Sequence, residues 1–75
     1  DADLIRKKLE EGHPIICIMG PGDFTTTGHY IVLTTVASDG SIEVHDPNSP
    51  KNSDRTWNLE KLMSQTKNLW VYEKK

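Results

Sequence analysis

A single cysteine, Cys17, occurs in the 75 residues. The chain can therefore form no internal disulfide, and one thiol without companions is no zinc framework. An excess of basic residues is also missing: nine Lys plus Arg against eleven Asp plus Glu leave a net charge of −2 at pH 7. The basic side chains are scattered, so the electrostatic footprint of a nucleic-acid or anionic-membrane partner is absent. The longest unbroken apolar runs, Ile15–Met19 and Tyr30–Leu33, fall far short of the roughly 20 residues of a membrane-spanning helix. No signal-peptide pattern precedes them, and the expectation is a soluble chain without a membrane span. No Gly-Lys-Ser/Thr follows Gly20-Pro21-Gly22, which weakens a phosphate-cradling reading. No initiator Met stands before Asp1, which suggests a processed, trimmed or excised chain. A chain of this size holds one small domain or half-domain. It buries only about 60% of the surface its unfolded form exposes, and such chains often lean on a disulfide, a metal or a partner.

What is present reads as alternating helices and strands. Leu4, Ile5 and Leu9 share one face of an amphipathic segment stopped by Gly12, a first helix. Pro14 opens Ile15–Met19, which is apolar at successive positions and predicts an interior strand covered on both faces. A nine-residue connection, Gly20 to Gly28, leads to a second strand over His29–Val36. Asp39-Gly40 is a strong hairpin signal, and Ile42-Glu43-Val44-His45 alternates inward and outward residues as a third strand. Asn48 to Arg55 reads as an exposed polar loop containing Pro50. Leu59, Leu62 and Met63 then fall at helical spacing behind Asn58, a credible N-cap, and the helix is predicted to run to about Thr66. Leu69–Tyr72 makes a final strand. The fold class expected is α+β, an antiparallel sheet with two helices in the order α-β-β-β-α-β.

Three histidines are the groups whose ordinary titration lies near neutrality. His13 lies in a turn and His45 on an outward strand position, and both read as solvated surface residues. His29 stands at the mouth of a buried strand, just after Gly28. It is either an imidazole held at a cleft edge or a strand-end residue bonded to a loop carbonyl. Asp46 closes the following strand, where it could orient His29 or cap its own Asp-Pro-Asn turn. With a two-residue turn at Asp39-Gly40, paired positions sum to 79. Asp46 would then oppose Leu33, four positions from His29 and about 13 Å along the strand, and a bulge or bend would be needed to bring the two together.

Gly28-His29-Tyr30-Ile31-Val32-Leu33, Asp39-Gly40, Val44-His45-Asp46-Pro47-Asn48, Trp57-Asn58-Leu59 and Leu69-Trp70-Val71-Tyr72 resemble the C-terminal part of the bacterial papain-like cysteine peptidases akin to the bacteriocin-leader (double-glycine) peptidases. Leu9-Glu10-Glu11-Gly12-His13-Pro14-Ile15-Ile16 is similar to the helix-Gly-x-Pro-strand segment with which that part opens, so the likeness covers nearly the whole chain. The resemblance implies a Cys-His-Asp triad that hydrolyses peptide bonds by acyl transfer without a cofactor or metal. In it His29 moves the proton and Asp46 orients His29. The family's nucleophile opens a helix well N-terminal to these segments, after a Gln that serves the oxyanion hole, and the chain carries neither. Cys17 matches a strand position without a catalytic role, and an apolar setting would make its thiol inert.

The expectation that follows is the sheet-bearing half of a peptidase, inactive alone, whose partners are a peptide substrate and either a missing N-terminal helical segment or a second copy of the chain. A non-catalytic peptidase-like binding module is the alternative. The resemblance also implies an extracellular or surface-associated setting in bacteria. A metal site of His29, His45 and Asp46 is weak, because adjacent His45 and Asp46 point to opposite strand faces. A calcium loop of Asp46, Asn48, Asn52 and Asp54 lacks the required Gly and terminal Glu.

Overall fold

Alternation between inward apolar and outward residues in the middle of the chain organises a five-stranded antiparallel sheet. A computed structural model of the chain describes residues 2–73. Helix α1 (Ala2–Glu10) is followed by β1 (Ile15–Met19), β2 (His29–Val36), β3 (Ile42–His45), α2 (Pro50–Ser53), β4 (Thr56–Trp57), α3 (Leu59–Gln65) and β5 (Thr66–Val71). The sheet order is β4-β3-β2-β1-β5, so the apolar strands β1 and β2 lie inside it. The α+β class stands, with three helices among the described residues where the sequence pattern indicated two.

One face of the sheet carries the core. Ile15, Cys17 and Met19 of β1, Ile31 and Leu33 of β2, Ile42 and Val44 of β3 and Trp57 of β4 are buried together with Ile5 and Leu9 of α1 and Leu59 and Leu62 of α3. Gly12, at φ +89°, ends α1 in a left-handed cap: its N–H donates to Leu9 O and that of His13 to Lys8 O. Asn58 caps α3 by accepting from Lys61 N–H, as its side-chain type requires.

Within the chain the second face is only partly covered. Ile16, Ile18 and Val32 are only half-buried. Beside them in the strand register, Tyr30 opposite Ile18 and Trp70 opposite Ile16 stand 49% and 51% exposed. A continuous apolar strand predicts burial on both sides, and here the buried parts of the helices all join the single core on the first face.

Between Asn48 and Arg55 the chain is not a plain loop. Ser49 accepts from Asn52 N–H and Pro50 begins the short helix α2; proline at the first helical position after a Ser cap starts a helix as readily as it breaks one. Trp57 is then drawn into the core opposite Ile42, making β4 from two residues that show no strand period of their own. At the other end β5 begins at Thr66, earlier than Leu69, because the chain passes directly from helix to extended backbone there. The Thr66 hydroxyl donates to Leu62 O at 2.8 Å, satisfying a helix-end carbonyl.

Candidate functional site

The hairpin between β2 and β3 decides where Asp46 falls. Gly40 has φ +86°, its N–H donates to Ala37 O, and Ala37 N–H donates to Ser41 O. This is a three-residue loop ending in a left-handed glycine, and it lowers the pairing sum to 78, as in Val36 with Ile42 and Thr35 with Glu43. A bulge between Leu33 and Thr35 lowers it again to 77, as in Leu33 with Val44 and Val32 with His45. Continuing that register, 77 − 46 = 31, so Asp46 faces Ile31, two positions from His29. Such a diagonal neighbour on one sheet face is within reach of a long side chain, with Cβ atoms about 7 Å apart. The turn and the bulge thus replace the 13 Å separation expected from a two-residue turn.

His29 Nε2 and Asp46 Oδ1 are 2.7 Å apart, with side-chain exposures of 10% and 1%. The other ring nitrogen, Nδ1, lies 3.2 Å from Asn48 Nδ2. An amide nitrogen can only donate and an ionised carboxylate can only accept. The neutral ring consistent with both contacts therefore carries its proton on Nε2, donating to Asp46, and accepts from Asn48 on Nδ1. The same Asp46 Oδ1 accepts from Asn48 N–H at 3.0 Å, and Oδ2 accepts from Asn52 Nδ2 at 3.1 Å. Asp46 thus contacts His29 and closes its own Asx turn at the same time.

The backbone of Asp46 is held from α2 as well. Ser53 Oγ accepts from Asp46 N–H at 2.8 Å and donates back toward Asp46 O. Trp57 Nε1 donates to Asn52 O at 3.0 Å, while the Trp57 ring meets Phe24 with centroids 4.5 Å apart and lies under the Arg55 guanidinium at 3.9 Å. Among the described residues no buried side-chain polar atom lacks a partner. Burial opposes ionisation of Asp46, but hydrogen bonds from Asn52, His29 and Asn48 N–H outweigh it and hold its carboxyl below the ordinary 3.8. A depressed folded-state value means a contribution to stability that is present above the unfolded-state value and lost as pH falls through the folded one. The stability gap between the native protein and Asp46→Asn is accordingly expected to be largest above about pH 4 and to shrink on further acidification. Urea midpoints taken across that range check it, and a gap independent of pH would contradict the assignment.

Other candidates lie apart from this pair. His45 is exposed on the opposite face of β3, so it does not converge with His29 and Asp46. Among the described residues no three His, Cys, Asp or Glu side chains gather as a metal would require. Cys17 is fully buried opposite Ile31 and Leu69, and desolvation pushes its thiol up to about 11. Gly28 has no crowding to relieve within the chain, since a Cβ there would meet only Met19 O at 4.0 Å.

The segment before His29 is instead held by polar contacts. Thr25 Oγ1 accepts from Gly28 N–H, and Gln65 of α3 accepts from Asp23 N–H while donating to its carboxylate. From sequence, Asn48 and Asn52 stand out only as members of a weak calcium-loop candidate and Ser53 not at all, so their part in holding His29 and Asp46 is not read there. Only the Asp-Pro-Asn turn signal points toward it.

A sequence model of the Peptidase_C39 like family matches residues 1–75. The chain belongs to that family. No curated protein and no solved structure matches it. Membership in the Peptidase_C39 like family accords with the likeness to papain-like cysteine peptidases seen in the motifs around His29 and Asp46, and it ties the chain to peptidase-related function.

Proposed function

We propose that this chain supplies the general base and its orienting carboxylate to a Cys-His-Asp peptidase whose nucleophilic thiol comes from outside these 75 residues. The observation that carries the reading is the 2.7 Å contact between His29 Nε2 and a buried Asp46, itself held by Asn52 and the Asn48 backbone. Such a base transfers protons through the nitrogen its carboxylate does not hold. The thiol gives its proton to His29 Nδ1 as sulfur attacks the peptide carbonyl, and Asp46 stabilises the imidazolium. The imidazolium then protonates the leaving amine as the C–N bond breaks. Water, deprotonated by His29, cleaves the resulting thioester and returns the thiol. No cofactor or metal enters this scheme.

A peptide is the substrate in this reading, and a helical segment or a second copy of the chain is the partner that completes the site. The half-buried face of Ile16, Ile18 and Val32 with exposed Tyr30 and Trp70 is in keeping with such a partner. A bacterial, extracellular or surface setting belongs to the same proposal.

A second reading, a peptidase-like binding module without chemistry, is favoured by the state of the one thiol in the chain, buried and with its titration pushed up to about 11. The chain alone is expected to cleave no peptide and to react slowly with alkylating reagents at Cys17, because neither a base nor a buried neutral thiol replaces an activated nucleophile. Fast Cys17 alkylation accompanied by peptide cleavage would overturn the proposal. Supplying a thiol-bearing helical segment and recovering cleavage would separate the peptidase from the binding module.

A further inference from the structure

Of the two nitrogens of His29, Asp46 holds Nε2 at 2.7 Å, and the other already has a partner within the chain. Asn48 Nδ2 donates to Nδ1 at 3.2 Å. The residue is exposed, and its backbone is fixed independently of its side chain, because Asn48 N–H donates to Asp46 Oδ1. The amide can therefore rotate away without disturbing the Asx turn or the contact between His29 and Asp46. A single bond between two neutral groups, one of them at the surface, is readily exchanged.

We propose that Asn48 is a displaceable cap on the proton-accepting nitrogen of His29, a positioning residue that keeps Nδ1 unprotonated and covered until an incoming proton donor takes its place. This rests on the reading of His29 as the general base. Chemically, a neutral amide donor suits the role. It pairs with the bare nitrogen of a neutral imidazole and has nothing to accept from Nδ1 once that nitrogen is protonated, unless the amide turns. Protonation of Nδ1 and departure of the Asn48 amide are thus coupled, and the base is exposed when it is used.

The test needs only this chain. In the unmodified protein, nitrogen spectra of the imidazole should show a proton on Nε2, none on Nδ1, and a coupling across the hydrogen bond from the Asn48 amide nitrogen to Nδ1. Diethyl pyrocarbonate then reads access to the bare nitrogen: that nitrogen forms a bond to one carbonyl carbon, ethanol and carbon dioxide are released, and the Nε2 proton is lost. In Asn48→Ala, His29 is expected to react about two- to tenfold faster, the range that release of one neutral hydrogen bond supports, while His13 and His45 in the same molecule keep their rates.

Absence of the coupling in the unmodified protein, or an unchanged His29 rate in Asn48→Ala, would overturn the cap. Asp46→Asn separates this failure from that of the underlying reading. If the ring keeps its tautomer and rate in Asp46→Asn, the pairing of His29 with Asp46 fails, and with it the general base. If that substitution shifts both while Asn48→Ala shifts neither, the cap alone fails.

Discussion

Replacing His29 by alanine is expected to lower peptide hydrolysis by about two to four orders of magnitude in the assembly that includes the nucleophile, the usual contribution of a positioned acid-base group. The side chain is 10% exposed and lies at the end of β2, outside the buried apolar cluster, so its removal costs chemistry far more than packing. The expected signature is a loss of kcat out of proportion to the stability lost, which is confined to one hydrogen-bond partner of Asp46 and stays below the cost of a core truncation. His45→Ala is the internal control, because that residue is exposed on the other face of β3 and should change turnover little. A large loss of turnover in His45→Ala with none in His29→Ala would place the chemistry elsewhere.

The second large effect is on the fold. Ile31 is fully buried in the middle of the core face, paired with Cys17 of β1 and two positions from His29 on the same side of β2. Truncation to alanine removes apolar contact area and leaves a cavity that neighbouring strands cannot close fully, so Ile31→Ala should lose about 2–5 kcal/mol of stability. Denaturant titration measures it. A loss that large is a substantial fraction of what a small domain possesses, and the variant should show a clearly lower midpoint in urea. The contrast with His29→Ala distinguishes a residue that carries the site from one that carries the scaffold. A cost below about 1 kcal/mol would fall outside the range of buried Ile truncations and would mean that the core face is not packed as described.

The parts of the fold legible from sequence are those specified by local chemistry. Gly12 ends α1, Asn58 caps α3, and the apolar run Ile15–Met19 lies between two partner strands because each signal acts within a few residues of itself. What was not legible depends on contacts made across the chain. Pro50 reads as a loop marker until Ser49 caps the helix it starts, and Thr56-Trp57 becomes a strand only because Ile42 and Glu43 lie opposite.

Within the site, the residue types and order of His29 and Asp46 singled them out. Their approach, however, depends on a three-residue loop at Gly40 and a bulge at Leu33/Thr35, which no short motif encodes. The supports of Asp46 were missed for the same reason. Asn52 and Ser53 reach it only after residues 50–53 coil, and in the sequence they are two polar residues in a polar stretch.

The central claim, that Asp46 acts through His29, is tested most directly by a double-mutant cycle on turnover with the nucleophile supplied. Asp46→Asn alone should cost less than His29→Ala but more than any surface carboxylate, since in the proposed role Asp46 orients the ring without itself transferring the proton. Residues that act as one unit give non-additive losses. The account predicts that His29→Ala with Asp46→Asn is no slower than His29→Ala alone; losses that simply add, or near-normal turnover in both single variants, would contradict it.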